Sequence, residues 1–129
     1  MNIEQISSYI RGQGIQDPEF AYTMRYYTGA MKLAIDDEEA VFVFDDGTLV
    51  EDSAPRTDDE CEIIVRGTRT HWDEMLEEYP RPFFQCIQTT AIKHGMSLSN
   101  TDSFYAYLPA LNRLTALLRK QSVAQKKGA

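Results

Sequence analysis

Residues 40–50 read AVFVFDDGTLV. Ala40 to Phe44 form a short apolar run, and the Asp-Gly pair that follows tolerates the positive φ of a tight hairpin turn, so Thr48 to Asp52 is expected to pair back. Just upstream, MKLAI at 31–35 alternates Met31, Leu33 and Ile35 against Lys32 and Ala34, the period of a half-buried strand. The acidic DDEE at 36–39 turns the chain between the two. Three consecutive strands therefore predict an antiparallel meander.

Upstream of the meander the period is helical. Ile3, Ile6 and Ile10 give residues 2–11 one apolar face, and GQG closes that helix. Asp17 before Pro18 marks a second start, with Phe20, Met24 and Tyr27 on its inner face and Gly29 as its stop. Downstream, SAPRTDD at 53–59 has no period and reads as a loop, and CEIIVRG at 61–67 as a fourth strand. TRTHWDEMLEEY at 68–79 predicts a helix capped by its first Thr, with Trp72, Met75, Leu76 and Tyr79 inward. After the PRP break, Phe83, Phe84, Ile87, Ala91 and Ile92 predict a helical face over 83–93 that Gly95 ends, and MSLS at 96–99 is a fifth strand. Thr101 caps a further helical turn, and a last helix runs from Pro109. The fold class is α+β: a five-stranded, mainly antiparallel sheet with helices covering one face. Residues 1–129 are expected to form a single domain, with 120–129 as a flexible basic tail.

Composition narrows the function. With 43% hydrophobic and 26% charged residues, a folded domain is indicated rather than disorder. The net charge of −7 argues against a nucleic-acid surface, which needs clustered Lys and Arg. All 20 acidic residues lie at or before Asp102, leaving Arg113, Arg119, Lys120, Lys126 and Lys127 as a locally basic end without a nearby acidic partner in the sequence. That end suits transient contact with an anionic membrane surface, although cations also complement a helix C-terminus. No apolar run could span a bilayer and the first residues do not resemble a signal peptide, so the expected location is cytoplasmic. Cys61 and Cys86 read as small buried side chains rather than a redox pair.

Candidate chemistry is sparse. The acidic groups at 36–39 and 58–60 lack the ligand spacing of a calcium loop and read as solvated turns. His71 stands near Asp73 and Glu74, but no second histidine follows at zinc-ligand spacing; His94 lies 23 residues on and suits a helix C-terminus. Neither a metal nor a cofactor is indicated, and no nucleophile elbow, phosphate loop or dinucleotide fingerprint occurs. What stands out is apolar bulk on the later helices, ending in FYAYLPALNRLTALLRK at 104–120. Core packing accounts for any one of these residues, and periodicity does not distinguish a filled core from a ligand cavity.

Three stretches together, AVFVFDDGTLV, CEIIVRGTRTHWDEML and AIKHGMSLSNTDSFYAYLPALNRLTALLR, resemble the sterol carrier protein 2 (SCP2-like) family over about residues 20–119. Gly67 with Trp72 matches one landmark, and Gly95 to Asp102 another; Asn100 and Thr101 stand where the family usually has a single Gly. The ending is close to that of bacterial members. The resemblance implies a five-stranded sheet and helices around an apolar tunnel for a sterol, fatty acid or acyl-lipid, closed by the final helix, with no catalytic signature. Trp72, Met75, Phe83, Phe84, Ile87, Phe104, Leu108, Leu111, Leu114 and Leu118 are the lining it points to.

Non-enzymatic binding or transfer of a hydrophobic ligand is thus the leading expectation. A second is a protein-interaction module, a homodimer or an appendage of a larger enzyme. A third is a small cone-shaped isomerase-like enzyme using buried carboxylates such as Asp73 or Asp102.

Overall fold

The computed structural model describes residues 1–52 and 54–128. Asn2 opens helix α1 (Ile3–Gly12) with a reciprocal cap: its side chain accepts from the Gln5 N–H at 2.8 Å while the Gln5 side chain accepts from the Asn2 N–H at 2.9 Å. A 3₁₀ turn at Gly14–Gln16 leads to α2 (Pro18–Met24), capped by Asp17. Tyr27, expected on that helix, lies beyond its end; it is buried and donates its hydroxyl to the Ala30 carbonyl at 2.8 Å.

The meander forms as β1 (Gly29–Ile35), β2 (Glu38–Asp45) and β3 (Thr48–Val50), antiparallel throughout. Only Asp36 and Asp37 turn the first corner, since Glu38 and Glu39 already belong to β2. The second corner is Asp46-Gly47, both at positive φ (49° and 83°), the two-residue turn whose twist matches the strands it joins. Then β4 (Ile63–Gly67) pairs parallel with β1, and β5 (Ser97–Leu98) pairs antiparallel with β4, giving the order β3-β2-β1-β4-β5. The sheet is mixed but mostly antiparallel.

Between β4 and β5 come α3 (Arg69–Met75) and α4 (Ile87–His94). Both are shorter than their apolar patterns suggest. The residue before a proline is pushed out of the α region, so Pro80 bars helix up to Tyr79, which is 86% exposed instead of inward. Phe83 follows Pro82 at φ 71° and precedes α4, so its side chain turns outward, with the Lys93 ammonium 5.2 Å from its ring centroid. Ile92 is 78% exposed on the outer face of α4, because Ile87 and Thr90 define the inner one. Thr101 caps α5 (Asp102–Ala106), and α6 (Leu108–Gly128) closes the chain. Of the basic tail expected at 120–129, residues 120–128 are helical, and Ala129 lies outside the described residues.

The six helices among the described residues contribute to one core on one face of the sheet, against Met31, Leu33, Ile35, Phe42, Phe44, Ile63 and Val65. The opposite face departs from the expected solvent exposure. Lys32 and Ala34 are buried there, with Arg56 and Asp58 closing over Lys32 and with Ala30, Val41, Cys61 and Ile64 in a small apolar cluster. A buried ammonium needs partners, and Lys32 Nζ reaches the Arg56 carbonyl at 2.6 Å, Asp58 at 2.9 Å and Glu39 at 3.4 Å. Arg66 bridges the same two carboxylates and, with Lys32, holds Asp58 well below the ordinary carboxylate range. Glu39 and Asp58 are therefore structural anions rather than solvated turn residues.

A Cβ on Gly47 would lie 2.5 Å from the backbone of Arg25, and the residue already holds a φ disfavoured for side chains. Gly47→Ala is expected to destabilise the protein by about 2 kcal/mol or more, read as a lowered midpoint in urea unfolding with unchanged m-value.

Candidate apolar ligand site

β4 ends at Gly67 because the chain turns there into α3, and Thr68 accepts from the His71 N–H at 3.2 Å to start that helix. His71 returns the cap, its Nδ1 accepting from the Thr68 N–H, so Nε2 carries the proton and donates to the His94 carbonyl at 2.6 Å. This ties the start of α3 to the end of α4. One turn on, the Trp72 indole N–H donates to the buried Ala34 carbonyl at 2.9 Å. The approach is possible because residue 67 has no side chain: a Cβ there would sit 3.1 Å from Trp72 Nε1 and from His71 Cβ.

With Trp72 so placed, α3, α4 and α6 enclose a gap against the sheet. It is lined by Leu33 and Val65 from β1 and β4, Trp72, Ile87, and Leu111, Leu114, Thr115 and Leu118 of α6. Its volume is about 10 Å³, room for about one water. The polar atoms around it are satisfied and directed elsewhere: Trp72 to Ala34, and the Thr115 hydroxyl to the Leu111 carbonyl at 2.9 Å. The gap presents carbon.

Five of the ten residues expected as lining, Trp72, Ile87, Leu111, Leu114 and Leu118, meet at this gap. Met75, Phe84 and Phe104 are buried in the same core away from it, Phe84 stacked on the His94 ring at 3.8 Å. Leu108 is half-buried at the core's margin, and Phe83 is on the surface. Leu33 is legible in the sequence as a core-facing strand position and Val65 only as part of a strand, while Thr115 carries no apolar signal, though it stands one helical turn after Leu111. Asp73 and Asp102 are exposed and border no part of the gap, so neither is the buried carboxylate an isomerase would use.

Polar contacts hold α6 at its rim. Arg113 makes a two-pronged bond to Asp17, both distances 2.9 Å, tying α6 to the start of α2. With the Phe20 N–H it draws the Asp17 carboxyl down to about 2. Arg119 donates to the carbonyls of Met75 and Gln85 at 2.8 and 3.0 Å, and burial lowers the pKa of its guanidinium. Lys126 and Lys127 pair with Glu77 and Glu78. Three of the five basic residues near the chain's end thus have acidic partners, from segments 49 to 96 residues away. Among the described residues no helix is long and apolar enough to cross a membrane.

The sequence matches no protein-family model and no curated protein. The fold is similar to solved structures. The crystal structure of sterol carrier protein 2 aligns with a TM-score of 0.65 at 16% identity, over 90% of this chain and 94% of that one. The solution structure of a conserved hypothetical protein from Thermus thermophilus aligns with a TM-score of 0.59 at 16% identity, over 92% and 87%. A ubiquinone synthesis protein, UbiJ-SCP2, aligns with a TM-score of 0.53 at 14% identity, over 87% and 93%. Through nine-tenths of its length, the chain has the SCP2-like fold.

Proposed function

We propose that this protein binds a hydrophobic ligand, a sterol, fatty acid or acyl-lipid, between α6 and the sheet, with no chemistry performed on it. The observation that carries this reading is the carbon-lined gap beneath α6, on the helix-covered face of an SCP2-like fold. Its volume is far below that of an alkyl chain, so binding requires α6 to move outward. The interior opposes such a motion only with apolar contacts, which the ligand replaces. Burial is worth about 0.8 kcal/mol per methylene, so a twelve-carbon chain brings about 10 kcal/mol, against about 1.5–3 kcal/mol for each of Leu111, Leu114 and Leu118 drawn from its neighbours. The rim contacts of Arg113 and Arg119 act as clasps, returning α6 to the closed position. Selectivity comes from length and girth rather than from a charged anchor.

A fluorescent fatty acid is expected to bind saturably at one site per chain. Leu114→Ala widens the gap and should cost about 2–5 kcal/mol, with ligand raising the variant's Tm more than the wild type's. No saturable binding to the wild type, together with no ligand-induced rise in the variant's Tm, contradicts the proposal.

The Asp17 clasp carries a pH signature. Its carboxyl titrates lower in the folded state than the unfolded value of about 3.9. Its contribution is therefore full above that value and is lost as the pH falls toward about 2. Asp17→Asn keeps the helix cap and removes the charge, and should cost about 1 kcal/mol at neutral pH. The difference from wild type in urea unfolding should vanish on acidification through that window, and exchange of the fluorescent ligand should be faster in the variant at pH 7.

A further inference from the structure

The sheet has an unfinished lane. β3 pairs with β2 only from Val43 to Asp45, so the outer edge of β2 from Glu38 to Phe42 has no strand beside it among the described residues. β3 stops because Asp52 turns the chain away, its side chain accepting from the Ala54 N–H, and Pro55 has no N–H to continue a ladder. The two-residue turn makes Asp45 and Thr48 the closing bonded pair, so alternate residues Val43, Val41 and Glu39 aim N–H and C=O at the lane. One hydrogen bond agrees with this parity: Arg11 of α1 donates Nη2 to the Val41 carbonyl at 2.6 Å. The Val41 N–H and the peptide groups of Glu39 have no partner in that direction among the described residues.

Alongside this edge runs an open groove of about 590 Å³ between α1 and β2. Ile3, Val41 and Pro55 give it an apolar floor, and Glu4, Asp37 and Glu39 give it an acidic margin. Glu39 is committed to Lys32 and Arg66; Glu4 and Asp37 have no ion-pair partner among the described residues. Arg11 is the one cation among the lining residues, and its guanidinium also lies 4.8 Å from the Phe42 ring centroid.

We propose that this lane receives an extended, lysine- or arginine-bearing segment of a partner protein as an added strand. The free edge is five residues, about 17 Å, enough for main-chain pairing over a short segment. An incoming N–H takes the Val41 carbonyl from Arg11, which holds that acceptor while the lane is empty. Cationic side chains of the segment meet Glu4 and Asp37. A second copy of this chain fits poorly, because its own groove edge is acidic and offers no cation except Arg11 to meet Glu4 and Asp37. The groove shares no residue with the apolar gap, so the proposal stands apart from lipid binding.

The test uses the full chain and three labelled, end-capped hexapeptides read by fluorescence anisotropy: alternating valine and lysine, alternating valine and glutamate, and the valine–lysine peptide N-methylated at every amide. Saturable binding is expected for the first, weaker by about tenfold or more for the others, since each lost main-chain bond costs about 1 kcal/mol and tenfold is about 1.4. Val41→Pro deletes an outward N–H while sparing the inner ladder, and should weaken the first peptide similarly in a protein that still melts cooperatively. Arg11→Gln should bind it at least as tightly as wild type. Equal binding of the glutamate peptide, or of the N-methylated peptide to the wild type, overturns the proposal, as does light scattering that shows a dimer for the wild type and a monomer for Val41→Pro.

Discussion

The Trp72 indole donates to the Ala34 carbonyl across a space that exists because residue 67 is glycine. Much of the helical layer depends on that contact. Gly67 ends β4, the strand that pairs parallel with β1 and sets the middle of the sheet. The turn after it starts α3 at once, and the indole anchors α3 to β1 at the Ala34 carbonyl, which gives the buried ring N–H its partner. The same indole forms a wall of the gap, so one hydrogen bond fixes both a helix position and the edge of the candidate site.

On that frame, apolar and polar contacts divide the work on α6. Leu111, Leu114 and Leu118 contribute to the core through shape alone, while Arg113 and Arg119 add directional bonds at the rim. Apolar contacts lose little when a neighbouring leucine is exchanged for an alkyl chain. Directional bonds either form or do not, and so define a closed position. A helix held this way can be stable and still open. The opposite face of the sheet is built otherwise, with Lys32, Arg66, Glu39 and Asp58 locked into a network that offers no such exchange.

Local rules made much of this legible. Alternation found the strands, Asp46-Gly47 the hairpin, and Asp17, Thr68 and Thr101 the helix starts, because each depends on neighbours in the chain. The misreadings arose where distant segments decide. Lys32 looked solvent-facing since nothing local shows that Asp58 and the Arg56 carbonyl will close over it. Arg113 looked unpaired because its carboxylate is 96 residues away. Phe83 and Tyr79 fit a helical period, but Pro80 keeps Tyr79 out of the α region and Phe83 takes a positive φ before α4 begins. At the candidate site, sequence pattern identified apolar bulk but not which residues share a gap. Met75 and Phe104 are as buried as Leu114 and do not touch it.

Methyl NMR of the protein saturated with a 13C-labelled fatty acid addresses the central claim directly. Intermolecular NOEs are expected from the alkyl chain to the methyl groups of Val65, Ile87, Leu111, Leu114 and Leu118, residues that line the gap beneath α6. NOEs confined to exposed methyl groups such as that of Ile92, with the interior methyls unchanged, would contradict it.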